Sequence, residues 1–126
     1  MTLRNLFLLN VIVDVIFALV LLLGPAYVLT AYGLRTGPSE NLVAQLFGAT
    51  LLVPGLIAWF AKDLADSEAV RGIVVSLLVS DVAGFVVALL GILAKTMKSS
   101  GWTVAIVFLF FVLSYGYLQF VKQPEV

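Results

Sequence analysis

The sequence contains no cysteine and no histidine, and only 11% of its 126 residues are charged. The first two absences remove disulfides, thiol chemistry, zinc clusters and histidine-ligated haem, so redox chemistry on the chain's own ligands is not expected. The scarcity of charge is equally restrictive. A soluble domain is about a quarter charged and about half apolar, whereas this chain is 63% hydrophobic with a mean hydropathy of +1.18. That composition belongs to an integral membrane protein. Seven basic residues balance seven acidic ones and they are scattered, which leaves no footprint for nucleic acid and no polybasic lipid-binding cluster. Glycine-rich phosphate loops, nucleophiles paired with a base and recognised metal-ligand spacings are also missing, so no catalytic residues are assigned and no metal is expected.

What is present is long apolar runs. Four segments, near 5–23, 42–61, 72–94 and 102–121, each approach the roughly 20 residues needed to cross a bilayer. The expected fold is therefore all-α, a single transmembrane domain over 1–126 built as a four-helix bundle. The first run is too long for the apolar stretch of a signal peptide and no small-residue cleavage site follows it, so it is expected to be retained as a helix. Gly24-Pro25 breaks or kinks it. The stretch from Ala26 to Gly33 carries two tyrosines and suits either a short helix at headgroup level or a continuation of the first span. Arg35 to Asn41 is a loop with Ser39 as a plausible cap, and Ser67 or Asp66 can cap the third span with Glu68 in its first turn. Pro54 in the second span should kink it in the service of packing.

The third span carries the clearest packing signal. Ser76, Ser80, Gly84 and Ala88 recur every four residues and form a small stripe that admits another backbone, most simply one of the same chain. An even number of spans puts both termini on one side with Arg4, Lys62, Arg71 and Lys122, against Arg35, Lys95 and Lys98 on the other. The positive-inside rule then favours cytoplasmic termini.

Two acids stand out against this background. Asp14 and Asp81 each lie about nine residues, or about 14 Å at 1.5 Å per residue, from the same side, near the middle of a hydrocarbon core about 30 Å thick. Carboxylates there are costly and usually functional. Asn10 lies one turn before Asp14, Ser80 adjoins Asp81, and Ser114, Tyr115 and Tyr117 occupy the matching half of the fourth span, so a polar pocket opening toward the termini side is expected. No lysine or arginine lies at that depth. Facing acids can share a proton, bind a cation or hold a protonatable group of a small molecule; alternatively each is a neutral acid hydrogen-bonded to serine, tyrosine or a carbonyl, joining helices.

Gly24-Pro25, Tyr32-Gly33, the run Leu46-Phe-Gly-Ala-Thr-Leu-Leu, the run Gly55-Leu-Ile-Ala-Trp-Phe-Ala61 and Gly101-Trp102 together resemble a family of small bacterial four-helix integral membrane proteins without an assigned activity, broadly DoxX-like in size and topology. Some DoxX-like proteins are associated with respiratory oxidoreductases, and the resemblance implies no catalytic residues.

Three functions fit these features. The first is a nonenzymatic inner-membrane component, an accessory subunit or a protein binding a lipid, quinone or carotenoid, with membrane lipids and other membrane subunits or further copies of itself as partners. The second is a proton-coupled small-molecule transporter working as a homodimer, by analogy with the small multidrug transporters and their acid in helix one. The third is a lipid- or isoprenoid-modifying enzyme using the two carboxyls as acid and base.

Overall fold

A computed structural model describes residues 2–64 and 67–121, and among them the chain is all helical. The helices are α1 (Leu3–Leu23), α2 (Pro25–Ala31), α3 (Pro38–Ala61), α4 (Glu68–Leu93) and α5 (Trp102–Gly116). A 3-10 turn, Ser99–Gly101, leads into α5, and a π-helical turn, Tyr117–Val121, extends it. Four of these units, α1, α3, α4 and Ser99–Val121, are long and apolar enough to cross a membrane. The protein is a multi-pass membrane protein with a four-helix bundle.

The helix ends follow local chemistry more than hydropathy. Ser67 accepts the Val70 N–H at 3.2 Å, so α4 starts before its apolar run does; Asp66, the alternative cap, lies outside the described residues, as does Lys122. Ser39 does not cap α3. Gly37 occupies that position, Pro38 takes the first helical turn, and Ser39 donates to Glu40 instead; a proline with no N–H to satisfy suits that first turn. The helix α3 then passes Pro54 without a break.

Gly24 ends α1 and Pro25 opens α2, so the segment after the first span is a separate seven-residue helix rather than a continuation. The proline removes a donor from the end of α1. A neighbouring helix satisfies another carbonyl of that last turn: Gln45 Nε2 on α3 donates to the Leu22 carbonyl at 3.1 Å. Both α2 and α4 finish in the same way. Gly33 (φ 74°) and Lys95 (φ 61°) take left-handed conformations, and Leu34 and Thr96 donate back to the carbonyls of Leu29 and Gly91, the double return bond of a Schellman ending.

The bundle is made of two pairs. Helix α1 packs along α3 and α4 along α5, while backbone approaches between the pairs are sparse. In the first pair the small residues are on α3, where Ala44, Gly48, Gly55, Ala58 and Ala61 are buried. A Cβ on Gly48 would stand 2.8 Å from Leu21 Cβ and 3.1 Å from the Ala18 carbonyl, so the backbones meet where no side chain intervenes. The stripe on α4 divides. Ser76 and Ser80 are exposed, with Ser76 donating to its own helix at the Gly72 carbonyl. Gly84 lies under the Phe108 ring of α5, and Ala88 is buried.

Two ends can be distinguished. At one, Arg4 Nε bonds Asp63 Oδ1 at 3.1 Å and Lys62 bonds Asp63 Oδ2 at 2.5 Å, with the Lys62 ammonium 3.9 Å from the Trp59 ring centroid. At the other, Lys98 N–H donates to the Tyr32 carbonyl at 3.0 Å.

Candidate functional site

Asp14 and Asp81 occupy the middle of their helices. Counted at 1.5 Å per residue from Leu3 and from Glu68, both at the Arg4–Asp63 end, they lie about 17 Å and about 20 Å along. Asn10 and Asp14 are four residues apart, the spacing that aligns side chains on one helix face, and Asn10 Nδ2 donates to Asp14 Oδ2 at 2.5 Å. The amide oxygen is then turned toward α5, where the Tyr115 hydroxyl donates to Asn10 Oδ1 at 2.8 Å. One tyrosine thus sets the rotamer of Asn10, and Asn10 sets the orientation of Asp14.

Packing locks the far end of this chain of bonds. Tyr115 is fully buried, Asn10 nearly so, and the Tyr115 ring stacks on Phe111 at 5.9 Å and tilts against Phe7 at 6.1 Å. Such aromatic contacts prefer offset or edge-on geometry and resist rotation. On the remaining side α3 comes close: a Cβ on Gly55 would be 3.3 Å from Asp14 Cβ. Glycine at this position lets α3 approach the Asp14 side chain without displacing it.

Asp81 completes the group from α4. It is half-buried, lies within electrostatic reach of Asp14, and its Oδ2 is inaccessible and without a hydrogen-bond partner. An unpaired buried acceptor forfeits the hydrogen bond it would have in water, so this atom marks the open valence of the site. Among the described residues no set of three or more acidic, histidine or cysteine side chains is grouped to hold a metal ion.

Of the seven candidate residues, the structure brings together Asn10, Asp14, Tyr115 and Asp81. Ser80, Ser114 and Tyr117 sit elsewhere. Ser80 and Tyr117 are exposed, and Ser114 and Tyr117 line an apolar groove along the outside of α5. Helical geometry explains the division: with 3.6 residues per turn each step rotates a side chain by about 100°, so turning Asp81 and Tyr115 inward carries their neighbours away. Gly55 was missed from the sequence because a glycine beside Pro54 reads first as part of a kink.

Between the acids and the Arg4–Asp63 end lies the main apolar core, with Leu6, Phe7, Ala58, Ala61, Val70, Val74, Leu77 and Phe111 packed around Tyr115. Four helices contribute to it, and it closes the termini side. Beyond the acids the buried residues separate into Ala18, Leu21 and Ala44 within α1/α3, and Ala88 and Ala105 within α4/α5. The acids therefore stand where the common core stops and the pairs part.

No family model, curated protein or solved structure matches the chain. Its function is read from this geometry.

Proposed function

We propose that the protein is a small nonenzymatic component of a bacterial inner membrane, an accessory subunit or binding protein, whose Asp14–Asp81 site holds the polar end of a hydrophobic ligand at mid-membrane depth. The observation that carries this reading is the unpartnered Oδ2 of Asp81 beside an Asp14 whose Oδ2 is already held by Asn10. Hydrogen-bond accounting narrows the ligand. The Tyr115 proton is spent on Asn10 and one Asn10 N–H on Asp14, and with Asp81 ionised its open oxygen can only accept. A donor headgroup, such as the hydroxyl or ammonium of a lipid, complements that better than a quinone carbonyl or a carotenoid hydrocarbon.

Arg4, Lys62 and Arg71 belong to the end that carries the α3–α4 turn, which supports cytoplasmic termini. The outward Ser76 and Ser80 support association of α4 with a second membrane subunit or another copy of the chain. The resemblance to DoxX-like proteins is compatible with an accessory role of this kind.

The test is to isolate the protein in native lipid and identify what travels with it by mass spectrometry. Wild type should retain an amphiphile with a donor headgroup that Asp81→Asn releases. Identical bound molecules in wild type, Asp14→Asn and Asp81→Asn would refute the binding role.

Proton-coupled transport by a homodimer is the second reading, favoured by two neighbouring acids with no cation in contact among the described residues. Reconstituted vesicles should then show solute flux driven by a pH gradient and lost in Asp14→Asn. Absence of flux in wild type would remove it.

A further inference from the structure

The segment that links α1 to α3 does more than connect them. After Gly24 the chain continues as α2 against α1 and α3, touches the second pair through its C-terminal end at Ala31 and Tyr32, and returns to α3. Three polar contacts join it to the second pair. Lys98 N–H donates to the Tyr32 carbonyl at 3.0 Å, Ser100 Oγ donates to the Ala31 carbonyl at 2.6 Å, and the Tyr32 hydroxyl lies 3.3 Å from Thr103 Oγ1. Gly33 seats against the Lys98 side chain, where an added Cβ would come within 3.2 Å of Lys98 Cβ.

These contacts differ in kind from those at the opposite end. The Arg4–Asp63 end is closed by a buried four-helix core, whereas the side-chain bonds at the Tyr32–Lys98 end are exposed, and α2 has no buried residue. Elements held by exposed hydrogen bonds and few apolar contacts are the ones that open locally at low cost. The two acids lie between these ends, where the pairs part.

We propose that α2 and the turn after it are a strap that closes the Tyr32–Lys98 end of the bundle, and that its release admits solutes from that side to Asp14 and Asp81. The strap is hinged at Gly24-Pro25, where α1 stops, and is latched at Tyr32 and Gly33. Opening it breaks the three contacts to the α4–α5 turn and leaves the core at the other end intact.

The test rests on reactivity of the acids and does not depend on which ligand they hold. Protein in lipid nanodiscs is treated with a water-soluble carbodiimide and glycinamide, and modification of Asp14 and Asp81 is quantified by mass spectrometry against exposed Asp63. Tyr32→Phe with Ser100→Ala should raise modification of the two acids about fivefold, the change expected from losing one or two exposed hydrogen bonds. The chain has no cysteine, so Gly33→Cys with Lys98→Cys introduces a single pair near disulfide spacing, and its reduced form, strained at the left-handed Gly33 position, is a second latch-weakened form. Oxidation should suppress modification several-fold and reduction should restore it, within one and the same folded protein. Equal modification in the oxidised, reduced and latch-weakened forms would overturn the strap, and so would acids that stay unmodified in every form. Ligand retention lost in Asp81→Asn with strap-independent modification would leave the binding role standing and the strap refuted.

Discussion

The two ends of this bundle are held by different physics. At the Arg4–Asp63 end, aromatic and branched side chains of α1, α4 and α5 and two alanines of α3 share one core around Tyr115. At the Tyr32–Lys98 end the buried residues lie within each pair and are mostly alanine, and the pairs are bridged by hydrogen bonds that Lys98 and Ser100 donate to the carbonyls of Tyr32 and Ala31. In lipid there is little hydrophobic drive between helices, so association depends on close fit and polar bonds. The comparison shows both solutions in one short chain, with Asp14 and Asp81 at the boundary between them.

If the common core is what joins the pairs, cutting into it should have the largest effect. Tyr115→Ala removes a fully buried ring and is expected to cost about 3–5 kcal/mol, as aromatic truncations in packed cores do. Ile16→Ala, on an exposed position of α1, should stay within about 0.5 kcal/mol. Unfolding in bilayers by steric trapping measures both, and equal costs would mean that the core is not the clamp.

A smaller effect tests the close fit inside the first pair. Gly48→Ala forces a methyl against Leu21 Cβ and the Ala18 carbonyl, which the helices relieve only by moving apart, at about 1–3 kcal/mol. Gly72→Ala meets nothing within 4 Å and should gain about 0.5–1 kcal/mol through helix propensity. The same unfolding assay should give the two substitutions opposite signs.

Smaller again is the hydrogen bond that crosses between the pairs. Tyr115→Phe keeps the ring stack and removes the donor to Asn10; interhelical bonds in lipid average about 0.6 kcal/mol, so the expected loss is about that size. The sharper readout is the Asn10 side-chain amide resonance, which should broaden or shift when the amide is freed to rotate. An unchanged resonance would show that Tyr115 does not set its orientation.

The four spans were legible because each is a long apolar run bounded by turn chemistry, and Asn10 beside Asp14 was legible because a four-residue step survives any rotation of the helix. Rotation itself was not. These helices are apolar nearly all round, so hydropathy does not say which face turns inward, and Ser80, Ser114 and Tyr117 were grouped with the acids by depth alone. The regular spacing of Ser76, Ser80, Gly84 and Ala88 also drew attention from the less regular Ala44, Gly48, Gly55, Ala58 and Ala61, which are all buried. A glycine in mid-helix signals close approach only once a partner is known. Which half of the bundle holds the shared core was not legible either, because that is decided by contacts among four helices rather than within one.

The weakest expected effect lies at the surface of the core end. Asp63 receives hydrogen bonds from Lys62 and from Arg4, and these hold its carboxyl below the usual aspartate range despite full exposure. A depressed folded pKa means the unfolded chain takes up the proton first as pH falls. The contribution is therefore complete above the ordinary aspartate pKa and disappears as pH drops through the lower, folded value. Exposed pairs are screened and contribute little, so Asp63→Asn should leave stability at neutral pH almost unchanged and flatten only the acid limb of the profile. Repeating the comparison in high salt separates this surface clamp from the core beneath it: wild type should approach Asp63→Asn as salt rises, while the loss in Tyr115→Ala stays constant. A salt-sensitive Tyr115→Ala would place charge, rather than packing, at the centre of that end.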